Sequence, residues 1–155
     1  MPAIILGWKI ERITVRNNVF LVHSGSVVVA QRLRLGSGQV LLQGNDYYAV
    51  ASPVTIIWGP TVYPSMASWQ SSMGQEMLNG RRVGRAADPY LRGPLIGLRV
   101  TVPGAAPVIR RFTPRGTSPL VGTGLNLPAL FGQNLGPDNF AGQPVRASRR
   151  DIGAL

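Results

Sequence analysis

Residues 10–58 read IERITVRNNVFLVHSGSVVVAQRLRLGSGQVLLQGNDYYAVASPVTIIW, and the way this stretch pairs with itself decides the fold. Runs rich in β-branched and aromatic residues are cut by Asn17-Asn18, Ser24-Gly25, Gly36-Ser37-Gly38 and Gly44-Asn45-Asp46. Short strands separated by turn residues are the pattern of an antiparallel β-meander. In the first run Ile13 and Val15 alternate with Arg12, Thr14 and Arg16, giving one apolar and one polar face. Asn tolerates the positive φ that a two-residue type I′ turn needs at both central positions, so Asn17-Asn18 predicts a hairpin returning over residues 19–23.

Residues 26–35 form the longest predicted strand. Val27, Val29, Gln31, Leu33 and Leu35 share one face; Val28, Ala30, Arg32 and Arg34 share the other. Strands over 39–43, 47–51 and 54–58 follow, with Ser52-Pro53 as a break because Pro cannot donate to a ladder. The run SGSVVVAQ (24–31) echoes SGQVLLQ (37–43). Two copies are too few for a solenoid, so the echo reads as two hairpin arms. The expected fold is therefore mainly β: an antiparallel meander closing as a small sandwich or barrel.

Outward from this block, AIILGW (3–8) predicts a further strand on the N-terminal side. On the other side Gly59-Pro60 ends the sheet, and residues 65–79 predict an amphipathic helix. Met66, Trp69, Met73 and Met77 fall on one helical face, Ser65 suits the start and Asn79-Gly80 the stop. That stripe packs most simply on the open sheet face; the rival is a docking face for another subunit, since Met-rich surfaces adapt to partners. Residues 81–94 read as an arginine-bearing loop, and 95–102 with 108–112 as a strand pair. From residue 103 on, seven Pro and eight Gly fall within 53 residues, which argues against regular helix. Yet apolar side chains persist there, unlike in disordered segments. The reconciliation is an extended arm laid along other surfaces. The expected organisation is a β-rich domain over 1–112 with an inserted helix, and an extended Pro/Gly-rich arm over 113–155.

The chain has 155 residues, 15 Arg, one Lys and a net charge of +10, yet only 14% of its residues are charged. Average soluble domains are about one-quarter charged, so a surface this poor in charge suits burial against other protein. The positive charge is spread: +3 over 1–60, +3 over 61–102 and +4 over 103–155. Nucleic-acid binders concentrate charge on one face. No Cys is present, which removes disulfides, thiolate chemistry and Cys-based zinc sites. No apolar run approaches the roughly 20 residues of a membrane span, and the N-terminus does not read as a signal peptide.

Enzymatic chemistry finds little footing. The single His, His23, has no second His for a zinc site. Ser24, His23 and Asp46 could compose a triad, but no G-x-S-x-G elbow accompanies them. Glu11, Asp46, Glu76, Asp88, Asp138 and Asp151 show no paired spacing and read as partners for the surplus arginines. Residues 36–41 (GSGQVL) and 122–127 (GTGLNL) lack the third glycine and the strand–helix context of a dinucleotide fingerprint. The expectation is a protein that is no enzyme, with no cofactor and no metal.

A hairpin-built β-domain, low charge density and a long apolar arm without its own core together resemble small virion structural proteins of viruses and bacteriophages, of the capsid-cement, minor-capsid or connector type. The resemblance is one of layout over the whole chain. It implies a structural subunit of a virion, assembled in the host cytoplasm, that binds copies of itself and other structural proteins through its arm. Candidate subunit contacts are Met66, Trp69, Met73, Met77, Leu120, Leu125, Leu127, Leu130, Phe131 and Phe140. Candidates for contact with anions or acidic partners are Arg81, Arg82, Arg85 and Arg92, around Tyr90, and Arg146, Arg149 and Arg150; Arg110, Arg111 and Arg115 form a third group. Isopeptide cross-linking would need Lys9 and is not expected. The alternative is a small β-barrel that binds nucleic acid through surface arginines, among them Arg12, Arg16, Arg32 and Arg34.

Overall fold

The structure, a computed structural model, describes residues 1–7, 10–31, 38–93, 110–139, 142–145 and 150–153. It is mainly strands with few helices, in small sheets of mixed direction. Two compact units divide the chain, Met1–Ala87 and Asp88–Leu155. The boundary expected near 112 therefore falls inside the second unit.

In the first unit seven strands come in quick succession: β1 (Ile4–Leu6), β2 (Ile13–Arg16), β3 (Val19–Val22), β4 (Ser26–Gln31), β5 (Val40–Gln43), β6 (Asp46–Ala49) and β7 (Thr55–Gly59). Their positions follow the apolar runs, but their pairing corrects the meander. β1 pairs with β4, β4 with β7, β2 with β5 and β3 with β6, and all four pairings are parallel. Each strand skips its chain neighbours and meets the strand one circuit later. The side chains of Arg16 and Gln43, and of Asn18 and Asn45, bond across a separation of 27 residues. The chain thus winds in coils: β1–β3 make the first, β4–β6 the second, and β7 opens a third. This is solenoid geometry in place of the expected hairpin arms, and no closed barrel or hairpin sandwich is present among the described residues.

The reason lies at the corners. A type I′ hairpin needs two successive residues with φ > 0. Between β2 and β3 only Asn17 is left-handed (φ 53), and between β5 and β6 only Gly44 (φ 67). One such residue turns the chain through a corner without folding it back. The contrast is Asn79-Gly80, where both residues are left-handed (φ 48 and 75). These residues form the tight turn of a true hairpin between β9 (Met77–Leu78) and β10 (Arg81–Arg82).

The third coil is interrupted. β7 turns at Gly59-Pro60 into the antiparallel strand β8 (Thr61–Tyr63), which leads into helix α1 (Met66–Met73). Ser65 caps α1 by accepting from the Ser68 N–H, and left-handed Gly74 ends it. The helix is therefore shorter than the expected 65–79, and Met77 lies on a strand. Met66 and Trp69 are buried. Trp69 packs tilted against Trp58 and edge-on against Tyr47, with ring centroids 5.4 and 5.9 Å apart, and Tyr47 packs tilted against Phe20 at 5.3 Å. An aromatic column thus runs from the first coil through the second to the helix. It passes among Leu6, Val28, Val40, Leu42 and Ile56.

The second unit corrects the extended arm. Arg110, Arg111 and Phe112 form a helical turn where a strand was expected. Residues 118–124 receive the chain end: Ile152 N–H donates to Leu120 and Gly124 N–H to Arg150. Leu120, Leu127 and Ile152 are buried. A short helix, α2 (Leu127–Phe131), forms despite the prolines. Pro128 lies in its first turn, where a missing N–H costs nothing, and Asn126 caps Ala129. The segment folds back on itself because its apolar residues find one another across turns. The strand expected over 95–102 lies outside the described residues.

Candidate functional site

The coils are joined inside by a polar ladder. Asn18 and Asn45 occupy the same register one coil apart. The Asn45 side-chain oxygen accepts from the Asn18 backbone N–H (2.9 Å) and from its amide (3.2 Å). One layer further on, the next acceptor is Glu76. Its Oε1 accepts from the Asn45 amide (2.6 Å) and from the Tyr47 hydroxyl (2.6 Å), and its Oε2 from the Asn45 backbone N–H (3.2 Å). Glu76 adopts φ 55 and is fully buried. Gly84 lies so close that a Cβ there would overlap the carboxylate.

Electrostatics at this site are set by burial. Desolvation raises the Glu76 carboxyl above its ordinary value, and the donors from Tyr47 and Asn45 offset this only in part. Burial and the neighbouring Glu76 push the Tyr47 hydroxyl well above its usual range. A carboxyl with no exposed surface meets no substrate. What it can do is hold the second coil to residues 75–85. Gln75 acts beside it as a surrogate strand: its oxygen accepts from the Leu42 N–H and its amide donates to the Val40 carbonyl, both at 2.9 Å. Arg85 bridges Asp46 in parallel and exchanges backbone bonds with Asn45 and Tyr47. Residues 75–85 therefore cover the outer edges of β5 and β6. Where the sequence pairs Glu76 with the surplus arginines, the structure gives it Asn45 and Tyr47. The sequence signal for the ladder is the 27-residue recurrence of Asn18 in Asn45, and it does not mark Glu76.

The candidate contact residues are scattered by the fold. Met66 and Trp69 are core, and Met73 packs against it half-buried. Met77 is half-buried on β9. Leu120 and Leu127 are buried in the second unit, Leu125 and Phe131 are half-buried, and Leu130 is 45% exposed. Phe140, Arg146 and Arg149 lie outside the described residues. Of the arginines, Arg81 and Arg82 stand exposed and adjacent on β10, where Arg82 donates to Ser71 (3.1 Å). Arg92 is exposed in the second unit, Arg85 is built into the coil edge, and Arg150 is half-buried with its Nε and Nη1 enclosed. His23 is exposed, whereas Asp46 is buried with Oδ1 accepting from the Ala87 N–H, so the sequence triad is not assembled.

Among the described residues no cluster of His, Cys, Asp and Glu could hold a metal ion, and no helix is long and apolar enough to cross a membrane. No known protein family, curated protein or solved structure matches the chain.

Proposed function

We propose that the chain is a non-enzymatic structural subunit of a large protein assembly, most concretely a virion component of the capsid-cement, minor-capsid or head–tail/tail type. The observation that supports this is the uneven closure of the coil stack. Residues 75–85 cover the second coil from one side. Among the described residues the first coil is the outermost layer on the other, with β1, β2 and β3 all at sheet edges. Its Ile13 is 37% exposed, while the register mate Val40 is fully buried. A solenoid end with open edges and apolar contents needs a cover, and neighbouring subunits of an assembly supply one. In the second unit the exposed Phe112, Leu130 and Leu135 offer further apolar contacts.

The test is mass spectrometry and cross-linking on purified particles from the source. The expected result is the chain at a fixed copy number, with the first coil cross-linked to another structural protein. Particles that lack the chain overturn the reading. A second reading, nucleic-acid binding, is favoured by exposed adjacent arginines, Arg81 and Arg82 on β10 among them. It predicts salt-sensitive retention on DNA that weakens in Arg81→Ala/Arg82→Ala; retention unaffected by the double substitution removes it.

A further inference from the structure

The four-stranded sheet β1-β4-β7-β8 contains no Asp, Glu, Lys, Arg or His in any strand, although the chain carries +10 overall. Its inner face supplies the core through Leu6, Val28, Ile56 and Trp58. Register sets a second row across all four strands: Ile5, Val29, Ile57 and Val62. At the two edges of the sheet Ile5 is 55% exposed and Val62 59% exposed, and Ile57 between them is half-buried. Parallel strands are ordinarily covered on both faces. An uncharged row whose β-branched edge members, Ile5 and Val62, face water is an interaction surface in want of an occupant.

We infer that the outer face of this sheet is a self-association surface, occupied by the same face of a second copy. Charge selects the occupant. An acidic partner would bring carboxylates to strands that carry no cation to receive them, and desolvating them unpaired is costly. A second copy brings a face equally free of charge, and a two-fold axis matches the row to itself. The chain is net positive and its copies repel, so an uncharged sheet favours their meeting there. Four strands at about 4.8 Å spacing and roughly 16 Å in length give on the order of 300 Å² per copy. A standard stable interface takes about 800 Å² per partner. The face alone therefore joins copies weakly, and it acts fully when other contacts hold them side by side. This deepens the assembly reading and rests on it for its setting.

Sedimentation of the full purified chain, from dilute to concentrated solution, tests the inference. The wild type is expected to rise from a 16.6 kDa monomer toward twice that mass. Added salt should strengthen association, because it screens the repulsion between positive copies. Ile5→Lys/Val62→Lys should weaken association about tenfold or more, while Val50→Lys, at an exposed position off the sheet, should leave it unchanged. Circular dichroism checks the fold of each variant. Val62→Thr, which keeps strand propensity, serves if the double variant fails to fold, with a smaller weakening expected. A wild type that stays monomeric at every concentration and salt, or a folded Ile5→Lys/Val62→Lys variant that associates like wild type, overturns the inference. The outcomes separate from the assembly reading: self-association through Ile5 and Val62 in a chain absent from particles keeps this face and removes the virion role. Particles that take up the double variant as readily as wild type remove only this face.

Discussion

The first and second coils follow the same path with different fates. Ile13, Val15, Arg16 and Val19 on β2 and β3 match Val40, Leu42, Gln43 and Asp46 on β5 and β6. The earlier members are exposed or half-buried; the later ones are buried. Neither local sequence nor backbone accounts for this. A residue in a stacked coil is buried by the layers on either side of it, and the second coil has two such layers where the first has one. Energy in this unit is therefore a property of position in the stack, and equivalent substitutions in the two coils should weigh differently.

The largest difference is expected for the apolar pair. Leu42→Ala should cost about 3 kcal/mol in urea unfolding, as a fully buried leucine, while Val15→Ala should cost about 1 kcal/mol or less. Equal losses would break the comparison. Next come the ladder asparagines. Asn45→Ala strips Glu76 of its side-chain amide donor inside the core, leaving the backbone N–H, and should cost about 2–3 kcal/mol; Asn18→Ala, at the exposed rung, should stay below about 1 kcal/mol. A third contrast is electrostatic. The Glu76 carboxyl is held above its ordinary value of 4.5, so the folded chain retains a proton that the unfolded chain gives up. That stabilisation is full below about pH 4.5 and is lost as pH rises through the folded pKa. Melting temperature should therefore fall along this limb, and Glu76→Gln should flatten it. Tyr47 does not contribute there, being shifted to still higher pH. A limb that persists in Glu76→Gln would assign it to another group. The smallest effects belong to the corners. Gly44→Ala should cost about 1–2 kcal/mol because φ is 67, whereas Asn17→Gly should change stability by a few tenths of a kcal/mol at most.

Strand positions were legible in the sequence, because alternation of residues such as Ile13, Thr14 and Val15 depends only on a strand having two faces. Pairing was not. Asn17-Asn18 and Gly44-Asn45 announce a change of direction, but a corner and a hairpin differ in whether one residue or two turns left-handed, and that is settled by what the strands meet afterwards. The 27-residue correspondence of RITVRNNVFLV with QVLLQGNDYYA was present. It was hidden behind the shorter echo of SGSVVVAQ in SGQVLLQ. The helix start was legible through Ser65, and its stop was misplaced because Gly74 serves as the left-handed cap. Glu76 was illegible for a different reason: an isolated acidic residue carries no mark of the coil above it. In the second unit, apolar residues were recognised, but spacing along the chain could not show that Leu120 and Ile152 meet.

The asparagine ladder has one more property, which is direction. The side-chain bonds that link Asn18, Asn45 and Glu76 run the same way, donor in the earlier layer and acceptor in the later one, while the Asn45 amide also donates back to the Val15 carbonyl. An amide can pass the pattern on, since it both receives and gives; a carboxylate only receives. Glu76 is therefore a terminator. It writes into the polymer's own hydrogen bonds where winding ends, and it gives the stack a head and a tail.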